Sequence, residues 1–439
     1  MKKAIVMIGV AMLLMTYAIA LSLRETAAVP DTLDAKNHPG FYDYRGAINV
    51  QTSLTHGFLT PSETVRAAQE SKLDFLIFTE LNRFVPGGSP DGWQRQTLVL
   101  NGGKYSYLES RVLSMDPDRL KTSESLGQAQ TTIADLLSRV GDRQRSAGSK
   151  DSLILGQVSR DGTEWAGAPP AGLAGLEVMN IRQAISRMWR DSRLSMLWSI
   201  LIYPFNSDLA LVRLFADFDT SFETWDRLSR ERRVFGVLGT DAGLPSSVLG
   251  VTLRSPGYET LFTLATNHVL LRSELTGDTE SDRTKLLAAL TAGQTYFAFD
   301  VLGQTKGFAT WYEDTGGIKS LGARVRFEEG GRVMVRLPKK PLVPFETVVY
   351  RDGLSIMTSN STETEFRVLQ GGVYRIVVRL FVSPSLFDGG RWIPWIITNP
   401  IVITARDHAG PSNQTIPRRP IQDSRHAKRT VRTVSRADN

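Results

Sequence analysis

A helix-start signal runs directly into a buried-strand signal in the stretch TPSETVRAAQESKLDFLIFT, residues 60–79. Thr60 can cap the helix, Pro61 suits its first position, and Glu63 completes a capping box. The nearly all-apolar run from Asp74 to Thr79 is typical of a parallel strand that is covered on both faces. This stretch therefore predicts one helix–strand unit of an α/β fold.

The same order of signals recurs later in the chain. Residues 220–223 (TSFE) form a second capping-box pattern before the strand-like run Val234–Leu238, and a helical stripe of leucines at 286–290 ends at Gly293. Such repetition predicts an α/β layered or barrel domain over residues 42–305. The apolar stretch Leu194–Pro204 is too short to span a bilayer, so it is interpreted as a buried helix.

The hydrophobic period changes near Gly307. From there to Thr404 the chain consists of short strands in which apolar and polar residues alternate, separated by turn signals such as EGG at 329–331 and RDG at 351–353. About 100 residues of this kind predict a β-sandwich-like domain, assigned to residues 306–405.

The N-terminal segment carries an export signal. Lys2 and Lys3 precede an uncharged apolar run from Ala4 to Leu23, which is nearer the length of a membrane-spanning helix than of a signal-peptide core. The small residues at 18–20 keep cleavage open. Residues 1–25 are therefore predicted to be a signal peptide or signal-anchor helix and 26–41 a linker. The rest of the chain is then exported, either membrane-anchored or periplasmic or extracellular.

Composition excludes several classes of function. The chain has no cysteine, which rules out disulfides and thiolate zinc sites. Its net charge is +7, but eight basic and three acidic residues fall in the apolar-poor segment 406–439. That segment is predicted to be a disordered basic tail, with a weak contact to anionic lipid or polymer as the alternative. No specific nucleic-acid binding is expected. The only partner that the sequence suggests is the membrane, through the N-terminal segment.

Five segments occur in an order and at spacings that resemble the PHP (polymerase and histidinol phosphatase) superfamily, especially its carbaryl-hydrolase-like CehA/McbA branch. They read GAINVQ at 46–51 followed by THG at 55–57, TELN at 79–82, LGQV at 155–158, GLEVMN at 175–180 and GTDAG at 239–243. Stretches at 286–296 and 394–401 extend the likeness. The resemblance implies a distorted (β/α) barrel followed by the β-sandwich-like domain.

The resemblance also implies that most metal ligands are lost. Where the family has histidines, this chain has Asn49, Gln51, Leu81, Gln157 and Gly243. At the family's carboxylate positions, Glu80 replaces an aspartate, and Asp241 is the one clear ligand that this chain keeps. The family's remaining carboxylate should fall near residues 101–109, but no residue there is assigned to it. Carboxamides are poor ligands for a catalytic transition metal, so no cofactor is expected.

Two functions stay open from the sequence. The favoured one is a non-catalytic binding or scaffolding module of the cell envelope. The alternative is a metal-dependent phosphoesterase or other hydrolase with a remodelled site, in which His56, Glu80 and Asp241 hold Zn, Mn or Fe. Further candidates for the pocket are Glu177, Asn180 and Arg83. His268, by contrast, is interpreted as a satisfied core histidine. No nucleophile-elbow or phosphate-loop motif is present.

Overall fold

The structure analysed is a computed structural model. It describes residues 2–22, 26–30, 40–83, 88–108, 110–115, 120, 124–138, 153–155, 159–160, 163–164, 172–212, 222–243, 246–248, 251–253, 256–383 and 389–405. The predicted basic tail, most of the predicted linker, Gln157 and the first two residues of the second capping box lie outside the described residues. What the described part shows is a mixed α/β structure with one large sheet network.

The helices fall mainly in the first three-quarters of the chain. They are α1 (Lys2–Ser22), α2 (Pro61–Glu70), α3 (Leu126–Ser138), α4 (Ile181–Asp191), α5 (Arg193–Ile202), α6 (Ser207–Val212), α7 (Phe222–Glu231), α8 (Tyr258–Leu264) and α9 (Thr279–Thr291), with a 3₁₀ turn at Asp300–Leu302. Measured by length and hydropathy, none of the described helices would cross a membrane.

The predicted capping box is confirmed at the start of α2. The amide of Glu63 donates to the Thr60 hydroxyl at 3.3 Å, and the Glu63 carboxylate accepts from the Thr60 amide at 2.8 Å. Two of the amides left unpaired at a helix N-terminus are satisfied in this way. The strand predicted after this helix is also present, and all four of its residues, Phe75–Phe78, are buried.

Strands run through the whole described chain. Up to residue 253 they are β1 (Tyr42–Val50), β2 (Phe75–Phe78), β3 (Gly92–Gln94), β4 (Thr97–Asn101), β5 (Gly103–Tyr107), β6 (Ser110–Ser114), β7 (Leu153–Leu155), β8 (Ser159–Arg160), β9 (Thr163–Glu164), β10 (Gly175–Asn180), β11 (Phe235–Ala242), β12 (Ser246–Val248) and β13 (Val251–Leu253). Beyond it they are β14 (Thr266–Leu271), β15 (Thr295–Ala298), β16 (Ala309–Asp314), β17 (Gly317–Lys319), β18 (Arg324–Arg326), β19 (Arg332–Arg336), β20 (Phe345–Arg351), β21 (Leu354–Ser359), β22 (Glu363–Arg367), β23 (Gly372–Val382), β24 (Arg391–Thr398) and β25 (Ile401–Thr404).

The early strands form a mainly parallel part of the network. β1 pairs in parallel with both β2 and β11, β2 pairs with β4, β11 with β10, and β10 with β7. β5 continues from β4 after Gly102, and the antiparallel pairs β5–β6 and β6–β7 lead back to β7. The carboxyl ends of the parallel strands therefore meet at one end of this arrangement.

The later strands join the same network. The first half of β1 pairs antiparallel with β14, which pairs with β15, and β15 pairs with β24. Strands β20, β21, β23, β25 and β18 continue from there. A separate four-stranded sheet is ordered β17-β16-β19-β22. The strands predicted after Gly307 are present as β18, β19, β20 and β23. Burial alternates along β19, whereas β23 has eleven residues, of which Val373–Val378 are buried without a break, because both of its faces are covered.

The prediction that residues 194–204 form a buried helix is wrong in one respect. The helix exists as α5, but Leu194, Leu197 and Leu201 are exposed. The buried side of α5 carries Ser199 and Ile202 instead. Apolar composition alone indicated burial, whereas the orientation of the helix turns most of its leucines outward.

Candidate functional site

A buried polar cluster lies where the carboxyl ends of the parallel strands meet. Its five members, here called the Lys104 cluster, are each 4% exposed or less: Asn49, Gln51, Lys104, Glu177 and Asp241. Asn49 and Gln51 come from the end of β1, and Asp241 comes from the end of β11. Four of the five are residues that the sequence analysis had selected as site positions.

The centre of the cluster is an ion pair. The Lys104 ammonium lies 2.6 Å from Oδ1 of Asp241 and also donates to Oδ1 of Asn49 at 3.1 Å. Gln51 donates its Nε2 to the same Asp241 oxygen at 3.1 Å. Because an isolated buried charge is strongly unfavourable, the short distance and the added hydrogen bonds are what make this pair tolerable in the interior.

The second carboxyl group of the cluster, Glu177, holds its proton more tightly than an exposed glutamate does. Burial raises the pKa of Glu177 to about 8, although the charge of Lys104 acts in the opposite direction. Burial also acts to raise the pKa of Asp241, but the charge and hydrogen bond of Lys104 outweigh it and lower that pKa. The pKa values of the two carboxyl groups are therefore shifted in opposite directions.

Asn49 connects the members of the cluster. Its Oδ1 accepts from Lys104 and, at 2.9 Å, from the Thr79 hydroxyl, while its Nδ2 donates to Oε1 of Glu177 at 2.6 Å. The register of β1 against both neighbours shifts at this residue, which marks a β-bulge. Bulges re-aim side chains and often lie next to functional sites.

Two members of the cluster have unusual backbone conformations. The φ angle is +63° at Asn49 and +48° at Asp241. Left-handed conformations are uncommon outside glycine, though asparagine and aspartate tolerate them best. Local strain of this kind tends to persist where the surroundings hold a functional geometry. In the Lys104 cluster, the two residues with positive φ angles, Asn49 and Asp241, are the two whose side chains accept hydrogen bonds from Lys104.

Glu80 is held next to the cluster rather than in it. One of its oxygens accepts from the amide and hydroxyl of Thr52, at 2.9 and 2.6 Å, and the other accepts from the Thr55 hydroxyl. His56, which lies in the same loop, is exposed. The structure therefore does not bring His56, Glu80 and Asp241 together through their hydrogen bonds.

The remaining predicted site residues have mainly structural contacts. Asn180 caps α4, accepting from the Gln183 amide at 3.0 Å. Leu81 forms a single backbone bridge to Lys104. Arg83 is partly buried and donates to the Leu54 carbonyl at 3.5 Å. None of these three contacts indicates a ligand.

Gly243 leaves no room for a side chain. Its φ angle is +106°, and a Cβ atom would lie 2.3 Å from the Tyr258 hydroxyl oxygen and 2.5 Å from the Gln51 carbonyl oxygen. The Tyr258 hydroxyl donates to that carbonyl at 2.6 Å. The space at this position is therefore filled by Tyr258.

These residues do not fit a metal centre. In the described part of the chain, no group of three or more histidine, cysteine, aspartate or glutamate side chains is arranged to hold an ion. The chemistry of the donors gives the physical reason. Asn49 and Gln51 are neutral, and burial raises the pKa of Glu177 to about 8 and so disfavours its charged form. Asp241 already contacts the Lys104 side chain, whose charge would repel a divalent cation.

Lys104 is the residue that the sequence analysis missed. It falls within residues 101–109, where a carboxylate was expected. The available signal was the pattern GKYSY at 103–107, in which a lysine shares a strand with aromatic residues. A lysine on a buried strand has to be paired, but its partner Asp241 is 137 residues away and cannot be recognised from local pattern.

No protein-family model matches the chain, and no characterised protein matches it in sequence. Among solved structures it is similar to a two-domain protein from Bacteroides vulgatus that contains a predicted PHP-like metal-dependent phosphoesterase. The identity is 12%, the match covers 84% of this chain and 99% of that chain, and the TM-score is 0.34. A TM-score this low does not establish a shared fold.

Proposed function

We propose that this chain is an exported PHP-like module that binds or scaffolds at the cell envelope and does not catalyse metal-dependent hydrolysis. The contact that supports this most directly is the 2.6 Å ion pair between Lys104 and Asp241. The Lys104 side chain takes up Oδ1 of Asp241, the same oxygen that accepts from Gln51. In this proposal, the protein's own cation takes the place of a metal ion.

The topology supports the PHP-like part of the proposal. The parallel pairs β4–β2, β2–β1, β1–β11, β11–β10 and β10–β7 form a run of strands that a (β/α) barrel would contain. The strands after residue 309, with a separate four-stranded sheet, are those expected of a β-sandwich-like domain. Export is proposed from the sequence alone, because Lys2 and Lys3 precede the apolar run 4–23.

The geometry favours this function over a hydrolase with a remodelled metal site. Such a site was expected to use His56, Glu80 and Asp241. His56 is exposed, Glu80 already accepts three hydrogen bonds from Thr52 and Thr55, and Asp241 is neutralised by Lys104.

Metal binding to the purified full chain tests the proposal. Elemental analysis and calorimetric titration with Zn²⁺ or Mn²⁺ should show no stoichiometric metal, and a phosphoesterase assay should show no metal-stimulated turnover. The matched control is Asp226→Ala, which removes an aspartate from another buried ion pair, with Arg375. Tight metal binding that Asp241→Ala abolishes and Asp226→Ala preserves would overturn the proposal and favour the hydrolase.

A further inference from the structure

Helix α5 exposes a continuous stripe of large apolar side chains. Leu194 is 84% exposed, Leu197 is 49% exposed and Leu201 is 56% exposed. Residues spaced by three, four and seven lie on one face of a helix. Phe205, just beyond the end of the helix, is 49% exposed as well. Single exposed leucines are ordinary, but a contiguous stripe marks an interaction surface.

The opposite face of α5 is buried although it is less apolar. Ser199 is 6% exposed, and its hydroxyl has no hydrogen-bond partner within the described part of the chain. Ile202, on the same side, packs with Leu209 and Ala210 of α6. The helix therefore buries a serine while leaving three leucines in contact with solvent. The apolar cluster that holds this side is small, with Trp198, Tyr203 and Tyr17 packed against Ile202, Leu209 and Ala210.

Positive charge accompanies the apolar stripe. Arg190, at the end of α4, and Arg193, at the start of α5, are both exposed. Asp191 is the one acidic residue between them. The planar guanidinium group binds phosphate oxygens in a bidentate manner, which suits phospholipid head groups better than an ammonium does. Basic residues next to an exposed apolar stripe are typical of helices that lie in a membrane interface.

Helix α1 contacts the other side of this region. Tyr17 of α1 packs against the cluster formed by Ile202, Leu209 and Ala210, and Ile202 lies on the side of α5 opposite the leucine stripe. The leucine stripe is therefore left exposed to solvent. The exposed Arg190 and Arg193 beside it complement the phosphates of anionic lipid, and this charge argues for a lipid surface rather than a separate protein partner.

We infer that α5 docks onto the surface of a bilayer that contains anionic phospholipid. Leu194, Leu197 and Leu201 enter the boundary between head groups and acyl chains, and Arg190 and Arg193 contact the phosphates. With ten residues, α5 lies in the plane of the interface and does not span it. The docking fixes which face of the folded domain is turned towards the membrane.

The absence of cysteine makes a direct test possible. A single Leu197→Cys variant of the full chain can carry the environment-sensitive fluorophore NBD, and Leu369→Cys provides the matched control, because Leu369 is 74% exposed on a turn far along the chain. With vesicles of phosphatidylcholine and phosphatidylglycerol, the emission from position 197 should shift to the blue and brighten severalfold. The emission from position 369 should not change.

The arginines should set the lipid preference. Each basic residue near an anionic surface strengthens binding by about fivefold. The double substitution Arg190→Glu and Arg193→Glu should therefore weaken vesicle binding by at least that factor for each arginine replaced. Vesicles of phosphatidylcholine alone should give a smaller response from the parent protein.

Three results would overturn the inference. The first is that flotation shows the protein bound to the vesicles while the emission from position 197 stays at the wavelength seen in water. The second is equal brightening at position 369. The third is blue-shifted emission without vesicles that increases with protein concentration, because a second copy of the chain would then cover the stripe.

Discussion

The ammonium nitrogen of Lys104 lies 2.6 Å from a carboxylate oxygen of Asp241, and the two side chains are 1% and 3% exposed. A divalent ion at the end of such strands would require several anionic ligands. Here one internal cation contacts one internal anion, and Asn49 and Gln51 add hydrogen bonds to this pair without adding charge. The charges of Lys104, Arg182 and Arg111 all act to lower the pKa of Asp241.

Removing the cation should destabilise the fold strongly. Lys104→Met preserves much of the side-chain volume but leaves Asp241 buried and unpaired, a situation that typically costs about 3–5 kcal/mol. Urea unfolding followed by circular dichroism measures the loss. The double variant Lys104→Met with Asp241→Asn should recover most of it, because both charges are then absent.

The control for this prediction is Lys285→Met. Lys285 pairs with Asp282 at 3.1 Å, but its side chain is 27% exposed, and partly solvated pairs contribute about 0–1 kcal/mol. Equal destabilisation by Lys104→Met and Lys285→Met would contradict the importance assigned to the buried pair.

Reversing the charge at this position should create cation dependence. Lys104→Glu places a third carboxyl group beside Glu177 and Asp241, and their mutual repulsion can be relieved only by proton or metal binding. We expect Mn²⁺ to raise the melting temperature of this variant and chelator to reverse the effect, because a ligand that binds the native state stabilises it. The parent protein should show no such shift. A parent protein stabilised as much as Lys104→Glu would contradict this account.

Glu177 should make stability fall as the pH rises. Its pKa is about 8 in the folded protein and near 4.5 when it is not buried, so the folded state holds the proton more tightly. The stabilisation that comes from the Glu177 proton is fully present below a pH of about 4.5 and is lost as the pH rises through about 8. The slope approaches about 1.4 kcal/mol per pH unit between ~pH 5 and ~pH 8. Urea unfolding across that range measures it.

The matched variant is Glu177→Gln, which keeps the acceptor for Asn49 and removes the titration. It should flatten the pH dependence between ~pH 5 and ~pH 6.5, and above that range it should leave only the decline that His268 causes. An unchanged slope in Glu177→Gln would show that another group is responsible.

Local patterns predicted the local features of this protein. The capping box at Thr60 and Glu63, the buried strand after it and the strands beyond residue 309 are all set by neighbours within a few residues. Hydrophobic period and capping chemistry report such features directly.

Long-range features could not be predicted in this way. The role of Lys104 depends on a partner 137 residues away, and the direction of the Asn49 side chain depends on a bulge against two other strands. The exposure of Leu194 and Leu197 depends on which side of α5 faces α6. Each is decided by tertiary packing, which a one-dimensional pattern does not contain.

His268 illustrates a buried group that sequence did identify as part of the core. It is 3% exposed, its Nδ1 lies 2.9 Å from Oδ1 of Asp43, and its Nε2 lies 3.1 Å from the Thr305 hydroxyl. Its ring stacks on Tyr296, with the ring centres 4.4 Å apart. Burial acts to lower the pKa of His268, but Asp43 and Asp300 outweigh it and raise the pKa to about 9.

This network should produce a second, more alkaline loss of stability. Because the pKa of His268 is raised from 6.5 to about 9 on folding, its charge stabilises the protein fully below 6.5. That contribution disappears as the pH rises towards 9, with a slope of up to about 1.4 kcal/mol per pH unit. In the Glu177→Gln background, urea unfolding at a series of pH values should therefore still show a decline above ~pH 7. Adding His268→Gln should remove this remaining decline while lowering stability at neutral pH, because Asp43 and Asp300 then lose their cation. If the alkaline decline persisted in the double variant, the ion pairs of His268 would not be its cause.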